Sequence, residues 1–350
     1  MLHRLALAAL LGTLALPAGA RERLVLVPFE RVARSSAGRD VLMPALAAAL
    51  LAKGYDVVAG PDVEEFLRKR RIRWLDSLTP ARTAELLSTF DAGGAVLGTI
   101  LSWAPDRIDP EVAVAARVLG RDGTVLWSDL AGLSISETEG ALGLGKARGM
   151  DELARRAVDR LVAALPARKL APVRVARSAG LEKLPRVFRD RDRIGARLRI
   201  CVLPLENHTG DRDPPRVLDA VLQHRLAERT DLTPVPAAEL RDALGKTGVH
   251  VPAQYLTLEQ LRKLGKTVGT PLFLRGAIYG WGIAPDAAGT PAVEIYLTLV
   301  DVESGRTVWS GMHRRTGQDY EGPLLRGAVR DETSLASRVV GELLEAFMRL

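Results

Sequence analysis

The chain has 350 residues, a formal net charge of +7, 47% hydrophobic and 26% charged residues, which gives room for about two domains with a core each and excludes wholesale disorder. A single cysteine, Cys201, excludes an internal disulfide, and aromatics at 5% leave the cores to Leu, Val, Ile and Ala.

Residues 1–20 carry the three parts of a secretory signal peptide: Met1-Leu2-His3-Arg4, an apolar run from Leu5 to Leu16, and Pro17-Ala18-Gly19-Ala20 before a cut near Arg21. The run is too short to cross a bilayer comfortably, and no later stretch reaches 18 uninterrupted apolar residues. A periplasmic protein without a membrane-spanning helix is expected. No cysteine follows the segment at once, so a lipid anchor is not, and outer-membrane association would run through a partner.

The next feature is Leu24-Val25-Leu26-Val27-Pro28-Phe29-Glu30, an apolar run with a Pro-x-Glu exit that recurs as Cys201-Val202-Leu203-Pro204-Leu205-Glu206. Setting Pro28 on Pro204 pairs Val41, Leu42, Leu46 and Leu50 with Val217, Leu218, Leu222 and Leu226, one face of a helix. Short strands follow at Tyr55 to Ala59 and Leu232 to Val235, then helices from Pro61 and Ala237. Leu78 to Trp103 aligns with Leu256 to Trp281, including Thr79 and Thr257 as N-caps and Gln260 completing a capping box. A hairpin comes next: Val112, Val114, Ala116 and Val118 alternate inward, as do Val293, Ile295, Leu297 and Leu299, and Trp127-Ser128 pairs with Trp309-Ser310. A last helix closes each copy, Leu153, Ala157, Leu161 and Leu165 matching Leu335, Val339, Leu343 and Phe347. The expected fold is α/β: two tandem mixed-sheet sandwiches, 21–165 and 199–350, each in the order β-α-β-α-α-β-β-β-α.

Between them lies a basic strap, residues 166–198. Pro166 to Arg199 holds eleven basic residues and three acidic ones, a net of +8 against +7 for the whole chain. Arg168, Lys169, Arg174, Arg177, Arg186, Arg189, Arg191 and Arg193 are its candidate contacts to anionic lipid headgroups or wall polymers, the alternative being a solvated linker. Nucleic acid is not expected as a partner of an exported protein.

V-L-P-L-E-N-H-T-G-D (Val202 to Asp211), L-R-K-L-G-K-T-V-G-T-P-L-F-L-R-G-A-I (Leu261 to Ile278) and L-V-D-V-E-S-G-R-T-V-W-S (Leu299 to Ser310) resemble the superfamily of the curli secretion channel CsgG, to which the synthase activator LpoB and the N-terminal domain of TolB are similar. The resemblance covers nearly all of copy 2 and, more weakly, copy 1. It implies a non-enzymatic envelope module that binds protein partners or assembles with itself. The chain departs from the group in lacking a lipobox cysteine and the long alternating hairpins of a pore former.

Other constellations have plainer readings. Gly140 to Ala147 nearly spells a phosphate loop, yet Ala147 offers no hydroxyl to magnesium, and glycines turning into the last helix explain it. Glu206, His208 and Asp211 cluster after the first strand of copy 2, where a ligand could be met, while a capped turn through Asn207, Thr209 and Asp211 is the plainer reading. Their spacing fits no metal set. The recurrent tryptophans, Trp281 and Trp309 among them, are core fillers or partner anchors. No nucleophile, metal or cofactor is nominated. The expectation is a non-catalytic adaptor of a wall-synthesis, secretion or polymer-export complex, its two copies engaging a partner bivalently across the strap. The alternatives are a small-ligand sensor or hydrolase using the Glu206/His208/Asp211 loop, and a self-assembling ring.

Overall fold

The computed structural model describes residues 21–32, 37–106, 109–138, 145–170, 186–189, 198–229, 231–248, 256–283, 289–322 and 327–349. The expected signal peptide, most of the Gly140 to Ala147 loop, and Arg174, Arg177, Arg191 and Arg193 lie outside them.

The first sheet is mixed. Strand β1 (Arg23–Leu26) runs parallel to β3 (Asp56–Val58) and to β4 (Gly94–Ala104), and β2 (Glu30–Arg31) continues along β4; β5 (Glu111–Leu119) and β6 (Val125–Ser134) follow antiparallel. Leu24 and Leu26 of β1 join a core with α1 (Ala37–Ala52) and α4 (Met150–Val162), while Val25 and Val27 join one with α2 (Pro61–Lys69) and α3 (Pro80–Thr89). That is why the strand reads as an unbroken apolar run: both faces are covered.

The second copy repeats the plan with β8 (Leu198–Val202), β9 (Glu206–Asn207), α5 (Pro214–Ala227), β10 (Leu232–Pro234), α6 (Ala237–Thr247), α7 (Leu258–Val268), β11 (Leu272–Ile283), β12 (Pro291–Asp301), β13 (Arg306–Thr316) and α8 (Glu332–Arg349). Thr79 caps α3, and Thr257 with Gln260 forms the full capping box on α7. The copies share their irregularities as well. Register shifts fall between Ile100 and Ser102 and between Ile278 and Gly280, bulges that re-aim Leu101 and Tyr279. Gly98 and Gly276 are identical for a steric reason: a Cβ would come 2.4 Å from the Phe29 ring in one copy and 2.2 Å from the Tyr296 carbonyl oxygen in the other.

Two features depart from the expected chain organisation. The strap contributes β7 (Arg186–Arg189), which adds to the edge of the second sheet by pairing with β13; Arg186 and Arg189 are therefore placed in a strand. The copies, moreover, are packed on each other. Helices α5 and α8 lie against their own sheet and also against β4, β5 and β6 of the first, so that Leu101, Ala113 and Ala115 share one core with Leu218, Leu222, Val339 and Leu343. The strap therefore does not hold two independent modules apart. With α5 and α8 committed to this seam, the picture of two separate copies engaging one partner gives way to a layered body: α1/α4, first sheet, α5/α8, second sheet. Among the described residues no helix is long and apolar enough to cross a membrane.

Candidate functional site

Strand β9 brings Glu206 beside Ala277 and Asn207 beside Ile278 of β11, and the His208 amide donates to the Ile278 carbonyl at 2.9 Å. The His208 ring then stacks on Tyr279, centroids 5.1 Å apart and planes 7° from parallel, with Nε2 3.6 Å from a Glu206 oxygen. Arg275 stands 4.0 Å from the other Glu206 oxygen. Asp211 does not join this group. Its carbonyl accepts from Asn207 Nδ2 at 2.6 Å and its carboxylate from the Asp213 amide at 3.2 Å, which makes it part of the turn into α5. Among the described residues no group of His, Cys, Asp and Glu is placed to hold a metal ion.

The tryptophans separate. Trp309 is 1% exposed and meets Phe347 edge-on at 5.2 Å, so the expectation of an exposed anchor is corrected there: it fills the core between the second sheet and α8. Trp281 is half-buried against that same core.

What Glu206 and His208 border is a sheet face that differs between the copies. Strand register equates Val32, Leu101, Ala113, Ala115 and Leu130 of copy 1 with His208, Tyr279, Glu294, Tyr296 and Met312 of copy 2. The first set is covered by α5 and α8. The second set meets no other part of the described chain in that way: Tyr279 is 49% and Met312 38% exposed. Helices α6 and α7 cover only the other part of this face, through Cys201, Leu203 and Phe273. Exposed apolar groups gathered on one face mark an interaction surface more often than scattered ones do.

The seam between the copies holds a cavity of about 350 Å³ lined by Val32, Leu97, Ala115, Ala220, Leu240 and Leu244. Six charged groups line it, Glu30, Asp76, Arg117, Arg216, Asp219 and Arg241. Arg117 donates to the Asp76 carbonyl, Arg241 lies 3.5 Å from the Asp76 carboxylate and 5.0 Å over the Trp74 ring, and burial pushes the Asp219 carboxyl up to about 6, with Asp76 adding to the rise. Burial also lowers the Arg117 guanidinium. At the rim Ser128 Oγ and His224 Nδ1 share a 2.8 Å hydrogen bond, and Glu228 is 3.4 Å from His224 Nε2. The residue types mimic a hydrolytic triad, but burial drives His224 down to about 4, a poor proton acceptor, and the bond ties β6 to α5. Other ties are the Ala238 amide to Ser77 Oγ at 3.0 Å, Arg216 to Glu30 at 3.8 Å and the Arg330 amide to Glu137 at 3.1 Å.

Sequence reasoning missed Tyr279, Met312, Arg117, Asp76 and Asp219. Only Tyr279 left a signal, as an aromatic where the aligned copy has Leu101. From the strap, Arg168 and Lys169 are exposed beside α1, the Arg168 amide donating to the Lys53 carbonyl at 3.1 Å.

No protein-family model matches the chain, and no curated protein matches its sequence. Solved structures similar to it include the PelC dodecamer from Paraburkholderia phytofirmans, 19% identical over 46% of this chain and 94% of that one with a TM-score of 0.31. The lipoprotein GNA1162 from Neisseria meningitidis is 21% identical over 32% and 82%, TM-score 0.28, and the LpoB C-terminal domain from Escherichia coli is 21% identical over 34% and 82%, TM-score 0.27.

Proposed function

We propose that this chain is a non-catalytic protein-binding component of the bacterial envelope and that the uncovered face of its second sheet is the working surface. The observation that supports this reading is the inequality of the copies: the part of the face that two helices bury in copy 1 is left uncovered by the described residues of copy 2 and carries Tyr279, Tyr296 and Met312. The bordering Glu206 and His208 then orient a partner and have no chemical task. A photo-cross-linking residue at position 279 should yield a protein adduct in intact envelopes, whereas one at Asp242 on α6, exposed but away from the face, should not. Equal labelling from the two positions, or none from 279, would overturn the reading.

The cavity favours a second reading, a small-ligand site at the seam, because six charged groups line a largely apolar chamber there. Mass spectrometry of the protein under non-denaturing conditions should then reveal a co-purifying small molecule that Ala220→Trp removes; none with the unmutated chain would discard it. For the strap, contact with an anionic surface is proposed from its charge, and salt-insensitive flotation with anionic vesicles would argue against that.

A further inference from the structure

We infer that the seam cavity takes a small zwitterion, an apolar amino acid, whose carboxylate meets the guanidinium of Arg117 and whose ammonium meets the carboxyl of Asp219. The proposal rests on the reading of that cavity as a small-ligand site and names the class of ligand.

The walls come from both copies. Arg117 lies on β5 of the first sheet, Trp74 and Asp76 lie between α2 and α3, and copy 2 supplies Arg241 from α6 with Asp219 and Gln223 from α5. The last two are four residues apart, so one face of α5 presents both.

The six charged groups form two joined pairs and one that is not joined. Glu30 and Arg216 pair at 3.8 Å, and Asp76 and Arg241 at 3.5 Å. Arg117 and Asp219 remain. Each feels the charge of the other, yet the two do not meet as an ion pair among the described residues. Arg117 gives a single N–H, of the five a guanidinium carries, to the Asp76 carbonyl. The Asp219 side chain accepts no hydrogen bond from the described residues. Buried charges are ordinarily paired and hydrogen-bonded, so a guanidinium and a carboxyl held apart across a cavity call for a group between them.

The complement of a separated plus and minus is a separated minus and plus. A plain carboxylate would answer Arg117 but set a second negative charge near Asp219, and a plain amine would do the reverse. An α-amino acid carries both charges on one carbon, and its carboxylate suits the planar fork of a guanidinium.

Other polar groups are placed to hold the same head group. Gln223 is 7% and Thr99 9% exposed, both line the cavity, and neither side chain has a hydrogen-bond partner among the described residues. Arg241 Nη2 is buried without one as well. The remaining wall, with Leu97, Ala115, Ala220, Leu240 and Leu244, has no side chain that hydrogen-bonds and suits a hydrocarbon. At about 350 Å³ the chamber is at the small end of organic-ligand pockets, which favours a single amino acid over a peptide.

Thermal melting and titration calorimetry of the mature chain with leucine, methionine and phenylalanine test this. At least one should bind saturably and raise the melting temperature. Its des-amino acid and its decarboxylated amine should each bind about tenfold more weakly or worse, because each leaves one buried charge without its partner. Asp219→Asn, equal in size, should weaken the amino acid about tenfold and abolish its advantage over the des-amino acid, with near-ultraviolet circular dichroism unchanged. Binding by none of the three, or a des-amino acid that binds the unmutated chain as tightly as the amino acid, would overturn the proposal. If a co-purifying small molecule is still found and Ala220→Trp removes it, the cavity reading stands and the class of ligand is wrong.

Discussion

Asp331 sits immediately before α8 with its carboxylate against β6 of the other copy, fully buried. The backbone leaves it little room: a Cβ on Gly132 would come 2.2 Å from Asp331 Oδ1. Oδ1 accepts from the Ser334 amide at 2.7 Å, Oδ2 has no hydrogen-bond partner, and burial with the nearby Glu137 carboxylate pushes the group from 3.8 up to about 7. The folded chain therefore holds this proton to higher pH than the unfolded chain does. The stability it contributes is intact below about pH 4 and is lost as pH rises to about 7. Each pH unit in the middle of that window is worth about 1.4 kcal/mol and the slope halves near pH 7, so roughly 2 kcal/mol disappears between pH 5 and 7. Asp331→Asn keeps an oxygen for the Ser334 amide and cannot ionise. The variant's advantage over the unmutated chain should grow by about that amount from pH 5 to 7, read from urea unfolding at both values. His224, lowered to about 4, contributes a change of opposite sign, but it is present in both proteins and cancels in the difference. An advantage equal at the two pH values would refute the account of a buried carboxyl held protonated at the seam.

Other expectations follow from the geometry. Gly276→Ala should destabilise by more than about 2 kcal/mol, because the new methyl group meets backbone and not a flexible side chain; thermal melting checks this, and a neutral result would mean that β11 and β12 can separate. Glu342 accepts from His313, from Arg315 at 2.9 Å and from the Tyr320 hydroxyl at 2.8 Å on a buried side of α8, so Glu342→Ala strands a buried guanidinium and should cost about 3 kcal/mol or more in denaturant titration. Burial pushes the Cys201 thiol up to about 12, so it should react with a thiol reagent only as fast as the chain unfolds. Thr257→Ala removes the capping box and should cost about 1 kcal/mol, read as a lower melting temperature.

The two-copy architecture could be read from the chain because its causes are local. Period-2 alternation through Val112 to Val118 and Val293 to Leu299 fixed the strands, and Thr79 and Thr257 fixed the helix starts, each within a window of a few residues. The candidate site was legible only in part. Glu206 and His208 do stand together on a sheet face, but Asp211 lies in the turn and Trp309 in the core, since a polar or aromatic residue at a strand end looks the same in sequence whether it faces solvent or a helix. Strand β7 gave no warning, because Arg186-Val187-Phe188-Arg189 pairs along an edge, and four residues are too few to show a period.

By itself the sequence determined that one module occurs twice, where its strands and helices begin, and that positive charge gathers between the copies. Only the tertiary structure decided that α5 and α8 serve two sheets at once, that Arg117, Asp76, Asp219 and Arg241 share a cavity, and that of two equivalent sheet faces one is covered while the described residues leave part of the other uncovered. The physical reason is range. Helix and strand patterns come from neighbours a few residues apart, whereas the seam joins residues such as Ser128 and His224, 96 positions apart, whose meeting depends on how complete surfaces fit.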